Sequence, residues 1–123
     1  MEHNVSRGDV YMVQMPIQTS DKPHSVEQGH RPVVIVSSEV GCRTSGIVMV
    51  CPITTKIKKL SCNVDTSWTA HGKQSQILCN QIMTMPKSQM VEYKGFVPKE
   101  EMQKVNIAML VSLGIRVNYQ EVN

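Results

Sequence analysis

Aromatic residues are scarce in this chain of 123 residues, which has one Trp, one Phe and three Tyr. A core built on ring stacking is excluded. With 41% hydrophobic residues, the aliphatic side chains and nine Met have to fill it, Met being unbranched and adaptable. No stretch approaches the roughly 20 apolar residues of a membrane span. Glu2, His3, Asn4, Arg7 and Asp9 interrupt the apolar region that an export signal needs, so a cytoplasmic protein without membrane partners is expected. The four cysteines, Cys42, Cys51, Cys62 and Cys79, include no Cys-x-x-Cys and no Cys/His pair at zinc-ligand spacing. Reduced thiols and no metal or cofactor are expected. A large excess of one charge is also lacking: 13 Lys and Arg against 10 Asp and Glu leave only +3, too small to imply nucleic acid unless the charges are grouped. Repeats, low-complexity tracts and linkers are absent, and the length fits one domain, 1–123.

What is present is mostly strand. Asp9 to Gln14 alternates as a half-buried strand. Pro16 to Gly29 is polar and turn-rich, and reads as a long surface loop of the kind that carries function. Arg31 to Ser38 reads as a strand with a continuous apolar run, hence central or covered on both faces, with Pro32 near its start, where a missing donor is tolerated. Glu39 to Gly46 reads as the turn of a hairpin and Ile47 to Ile57 as its second strand. Further on, Cys62 to Asp65 predicts a short strand, Trp68 to Lys73 a loop, and Gln76 to Thr84 another strand. Pro86 opens a short helix reaching Met90. Pro98 opens a longer one with Glu100 and Glu101 at its positive end and Gly114 past its last turn. On that helix Met102, Val105, Met109 and Leu113 form one apolar face. Short antiparallel strands and a C-terminal helix predict a mostly β fold with α: an SH3-like curled barrel.

The hairpin places two chemical groups together. If Ser38 faces Ile47, counting outward sets Arg31 opposite Thr54, and facing residues have Cβ atoms ~5 Å apart. Strand alternation then puts Thr54, Lys56 and Lys58 on one face. A guanidinium fork, a hydroxyl and two ammonium groups suit a phosphodiester, Arg bonding two oxygens of one phosphate and the lysines holding neighbouring phosphates. Read alone, the lysines also describe a solvated strand edge, Arg31 a salt bridge to Glu27 or Glu39, and Thr54 an ordinary strand former. Gln28 and Gln81 supply amides that can read the edges of single-stranded bases, or satisfy backbone, and Glu27 reads as a rim contact or salt-bridge partner. His24 and Glu27 are possible proton-transfer groups on the loop, while His30 follows the opposite face from Arg31 and reads as structural.

Four motifs occur in order: Arg7-Gly8-Asp9-Val10-Tyr11, then Glu27-Gln28-Gly29-His30-Arg31-Pro32-Val33-Val34, then Ile53-Thr54, then Gln81-Ile82-Met83-Thr84. Together they resemble the MazF/PemK family of toxin endoribonucleases over about Ser6 to Gly114. The resemblance implies a CcdB/MazF-like barrel and a toxin of a type II toxin–antitoxin system, a homodimer held silent by a small acidic MazE-like antitoxin. Operator DNA would be bound only through the antitoxin. The implied reaction is sequence-specific, metal-independent cleavage of single-stranded mRNA, independent of the ribosome. The 2′-hydroxyl would attack, leaving a 2′,3′-cyclic phosphate or 3′-phosphate and a 5′-hydroxyl. Arg31 and Thr54 match the family's catalytic pair, and Glu27, Gln28, Lys56, Lys58 and Gln81 are the expected RNA-binding set. Met83 departs from the basic residue that many relatives carry after the Gln-Ile pair. Two other classes stay open: a non-catalytic gyrase-inhibiting toxin like the CcdB relatives, which use a tryptophan in the C-terminal tail where this chain's one tryptophan is Trp68, and an SH3-like RNA-binding module without activity.

Overall fold

In the computed structural model the described residues are 4–18 and 26–116, with side chains described for 4–15 and 29–116. Seven antiparallel strands form one sheet: β1 (Asp9–Gln18), β2 (Val26–Ile35), β3 (Ile47–Thr54), β4 (Asn63–Ala70), β5 (Lys73–Leu78), β6 (Met83–Pro86) and β7 (Glu92–Phe96). Their order is β4-β5-β3-β2-β1-β7, with β6 paired to the first half of β3. The sheet curls into a half-barrel, closed on one side by the C-terminal helix α2 (Lys99–Ser112). The expected mostly β fold with a C-terminal helix is therefore observed.

Packing explains this arrangement. β2 is central, and its run Val33-Val34-Ile35 is wholly buried because both faces are covered. Val10, Val34, Ile53, Ile77 and the α2 residues Met102, Val105 and Ala108 make one core. Tyr11, Val33, Ile35, Val50 and Met90 make a second on the opposite face of the sheet. The apolar face of α2 thus includes Ala108 where Leu113 was expected. Leu113 is exposed, since the helix stops there: Gly114, at φ 72, turns left-handed, its amide bonds the Val111 carbonyl and the Ile115 amide bonds that of Leu110.

Several local expectations are corrected. The polar segment Pro16 to Gly29 is not all loop: β1 and β2 pair through Gln18 and Val26, so the backbone of 16–18 and 26–29 belongs to a long hairpin arm. The turn Glu39 to Gly46 contains a helix, α1 (Glu39–Thr44), capped by the Ser38 hydroxyl accepting from the Gly41 amide at 3.1 Å. Trp68 to Lys73 is strand and tight turn, β4 and β5 being joined by His71 and Gly72, both at positive φ. Gln76 to Thr84 divides into the end of β5 and the start of β6. The helix expected after Pro86 is one 3₁₀ turn, Lys87–Gln89, and β7 had no expected counterpart. Helix α1 leaves the hairpin register unchanged, because its two ends return the chain to facing positions: the Val36 amide bonds the Met49 carbonyl at 2.9 Å.

Candidate functional site

The register of β2 on β3 is that counted from the sequence. Val33 faces Pro52, Val34 faces Cys51 and Ile35 faces Val50. The paired ladder ends at Val33 and Pro52; carried two steps further, the same register would set Arg31 opposite Thr54. Both line one cavity of about 600 Å³ at the end of β3 beside the middle of β2, and Lys56, Lys58 and Gln81 line it too. Five of the seven expected site residues are thereby brought together. The side chains of the other two, Glu27 and Gln28, and the whole of His24, lie outside the described residues.

The cavity does not sit on one face of a continuing strand. β3 ends at Thr54, and the chain bends through Thr55 and Lys56, so the alternation expected to align Thr54, Lys56 and Lys58 does not extend past Thr54. The bend has a local cause: the Thr54 hydroxyl oxygen accepts the Lys56 amide at 3.1 Å, a side-chain substitute for the ladder. The hydroxyl proton remains available for donation. β3 ends here while β2 runs on to Val26 against β1, and His30 and Ile53 line the cavity beside Arg31 and Thr54. His30, next to Arg31 in β2, is exposed and also lines the cavity.

A buried glutamine that the sequence reading passed over organises the wall. Gln76 faces Thr54 across β3 and β5 and is 5% exposed. Its carbonyl oxygen accepts from the Lys58 amide at 3.0 Å and from Asn63 Nδ2 at 3.2 Å, and its Nε2 donates to Asp65 at 2.8 Å. These bonds anchor the segment carrying Lys58 to the sheet. The sequence carries no signal for it: β5 reads Lys-Gln-Ser-Gln-Ile-Leu, and only the fold shows that Gln76 is buried and so must find partners.

The electrostatics are one-sided. His30, Arg31, Lys56, Lys58 and His71 are the ionisable residues at the cavity, and no carboxylate lines it among the described residues. Such a site attracts a polyanion and stabilises negative charge developing at a bound phosphate. Among the described residues no group of three or more His, Cys, Asp and Glu could hold a metal ion. No helix among them is long and apolar enough to cross a membrane.

A family model described as PemK-like, MazF-like toxin of type II toxin-antitoxin system matches residues 6–113. Endoribonuclease MazF of Staphylococcus saprophyticus is 34% identical over 114 residues, spanning 89% of this chain and 91% of that protein. Among solved structures, an endoribonuclease from Mycobacterial species superposes with TM-score 0.75 at 22% identity, over 94% of this chain and 97% of that one. The MazF of a MazE–MazF crystal structure from Deinococcus radiodurans superposes with TM-score 0.71 at 19% identity, over 94% and 100%. At those identities the superpositions establish the fold.

Proposed function

Since the chain belongs to the PemK-like, MazF-like toxin family of type II toxin–antitoxin systems, we propose that it is an endoribonuclease toxin whose cavity between β2 and the end of β3 binds and cuts single-stranded RNA. The observation that carries the reading is the convergence of Arg31, Thr54, Lys56 and Lys58 on one cavity without a described carboxylate.

The chemistry follows from the groups. Lys56 and Lys58 hold phosphates flanking the scissile one and supply affinity without sequence preference. The guanidinium of Arg31 faces the scissile phosphate. Its fixed fork bonds two non-bridging oxygens and offsets the charge that accumulates as the neighbouring 2′-hydroxyl attacks phosphorus. Thr54, its oxygen already engaged by the Lys56 amide, donates its proton to the same phosphate and fixes its position. Phosphorus–oxygen bond formation at the 2′ position and departure of the 5′ oxygen give a 2′,3′-cyclic phosphate and a 5′-hydroxyl. The need for the 2′-hydroxyl restricts cleavage to RNA. Arginine stays protonated and is a poor base, so Arg31 serves positioning and charge stabilisation. Gln81, with Glu27 and Gln28 on the β1–β2 arm, supplies contacts that choose the cut site.

The chain acts as one domain and as a homodimer in the cytoplasm. A small acidic antitoxin silences it by occupying the basic cavity, and operator DNA is reached only through that partner. One relative of the same fold is described in complex with its cognate antitoxin, and the cavity's charge suits such a partner. The test is incubation with a long defined RNA in EDTA, followed by mapping of cleavage positions and end chemistry. Cyclic or 3′-phosphate ends are expected, with cleavage lost in Arg31→Ala and Thr54→Ala. Wild-type rates in both folded variants would refute the assignment.

A further inference from the structure

Three of the four cysteines lie in a row across neighbouring strands. β3 is set on β5 by Ile53 facing Ile77 and Thr54 facing Gln76; two steps back along β3 bring Cys51 opposite Cys79. On the other side of β5, Asn63 faces Leu78, and one further step brings Cys62 opposite Cys79. There the ladder is closed by the Cys79 amide donating to the Cys62 carbonyl at 2.9 Å. Residues facing at a hydrogen-bonded antiparallel position have Cα atoms ~5.5 Å apart, with side chains on one face. That spacing is within the ~4.4–6.8 Å between Cα atoms that a disulfide spans. The Cβ atoms of a disulfide lie only ~3.5–4.5 Å apart against ~5.5 Å for such a facing pair, so closing the bond draws the two strand ends together by about 1 Å. All four thiols are free.

Access divides them. Cys51 and Cys79 are 0% exposed, while Cys62 is half-buried at the end of the row. The Cys62 thiol donates to Asn63 Oδ1 at 3.5 Å, and Asn63 is the residue whose amide bonds Gln76, which in turn holds the Lys58 amide. Asn80 and Gln81, the two residues after Cys79, line the cavity directly. A change at this thiol pair therefore reaches the cavity along two short routes.

We propose that Cys62 is an oxidant-sensing thiol that forms a reversible disulfide with Cys79, and that closing this bond lowers RNA cleavage by displacing the wall that carries Lys58 and Gln81. The oxidant is a hydroperoxide. Cys62 sulfur attacks the peroxide oxygen, the O–O bond breaks, and the departing hydroxide takes the thiol proton as water, leaving a sulfenic acid. Cys79 sulfur then attacks Cys62 sulfur, the S–O bond breaks, and a second water leaves with the Cys79 proton. Two thiols lose two electrons and one hydrogen peroxide becomes two waters. Burial shields Cys79 from direct oxidation, so the order of events is set by access. Disulfides of this partly exposed kind are the labile, regulatory ones.

The test uses the reduced protein treated with equimolar hydrogen peroxide, alkylated in denaturant and digested with trypsin. Lys59, Lys73 and Lys87 place Cys62 on peptide 60–73 and Cys79 on peptide 74–87, apart from Cys42 and Cys51. A linked pair of those two peptides is expected, restored by dithiothreitol, retained in Cys51→Ala and absent in Cys62→Ser. Cleavage of a defined RNA should fall at least five-fold on oxidation of the wild type and stay constant in peroxide-treated Cys62→Ser. A Cys62 sulfinic acid with Cys79 still alkylated, a link to Cys51, or a link between two chains would overturn the pairing. An intact pair with unchanged cleavage would overturn its regulatory part. The effect on cleavage rests on the proposed function, but the peptide link does not: reduced protein that cuts no RNA would count against the function alone.

Discussion

Replacing both lysines of the cavity, Lys56→Ala with Lys58→Ala, separates binding from chemistry. Both are exposed and neither makes a described side-chain hydrogen bond or ion pair, so the fold should change by less than ~0.5 kcal/mol. Each lysine that neutralises one phosphate of single-stranded RNA contributes about 0.7 to the slope of log affinity against log salt. With Arg31 as the third cation, the wild-type slope from this site is about −2, and the double variant retains about −0.7. Extrapolated from 1 M, where the electrostatic term vanishes, each contact contributes about four-fold at 0.15 M salt, and the pair about fifteen-fold. That loss should appear in KM and leave kcat nearly constant, since flanking phosphates keep their charge through the reaction. Arg31→Ala should do the reverse, lowering kcat by about 10²–10³, as when one donor to a developing oxyanion is removed. The assays are fluorescence anisotropy with a non-cleavable 2′-deoxy oligonucleotide over a salt series, and initial rates on its ribose counterpart. A double variant with the wild-type salt slope would show that the lysines are only a solvated rim.

Thr54→Val, which keeps the shape and removes the hydroxyl, should lower kcat about 10²-fold, and Thr54→Ser should restore most of it. Initial rates decide; equal rates for the Val and Ser variants would make Thr54 a spacer. Glu101 accepts the Thr66 hydroxyl at 2.7 Å and the Ser67 amide at 2.9 Å. Burial acts to raise its carboxyl, but these bonds outweigh it and hold it below the ordinary value. Its stabilising effect is therefore present above the unfolded pKa of about 4.3 and lost as pH falls through the folded one. Glu101→Gln should cost about 1 kcal/mol at pH 7, a figure discounted for solvent screening, and flatten the acid limb of stability measured by urea titration. Burial pushes the thiols of Cys51 and Cys79 up to about 12 and raises that of Cys42. Iodoacetamide at pH 8 should accordingly modify Cys62 alone in the native protein, and mass spectrometry showing early labelling at Cys51 or Cys79 would contradict the packing. Ile77→Ala, at a wholly buried position, should cost about 2–5 kcal/mol by denaturant melting.

What the sequence disclosed and what it concealed divide along one physical line. The β2–β3 register could be counted because both strands are strongly apolar and the connection between them is short, so only one pairing buries Val33, Val34, Val50 and Cys51 together. A helix in place of the expected turn did not matter, because a register is set by where the chain re-enters the sheet. β4 was legible only at its start. Its inward residue Thr66 is nearly as polar as its outward neighbours Ser67 and Thr69, and the period of two vanishes from the hydropathy. The strand exists because a hydrogen-bonding partner, Glu101 of α2, takes up Thr66 and the Ser67 amide, and that partner is 35 residues away.

The same reasoning bears on the wall of the cavity. Ser75 and Gln76 are buried polar residues in a strand that elsewhere points Ile77 into the core. An unpaired amide there would cost ~1–3 kcal/mol, so Gln76 constrains its surroundings more than an apolar residue would. It holds Asp65, Asn63 and the Lys58 backbone in one arrangement, and Thr54 faces it across the ladder. Counting from sequence found the cationic and hydroxyl groups of the cavity because Arg31 and Thr54 belong to two strands whose register is set by their apolar runs. The residue that fixes their spacing was invisible because its importance lies in bonds made across three segments. Gln76→Leu would fill the same space yet release the Lys58 backbone and leave Asn63 without its acceptor, so the cavity's geometry depends on this buried amide as much as on the charged groups that line it.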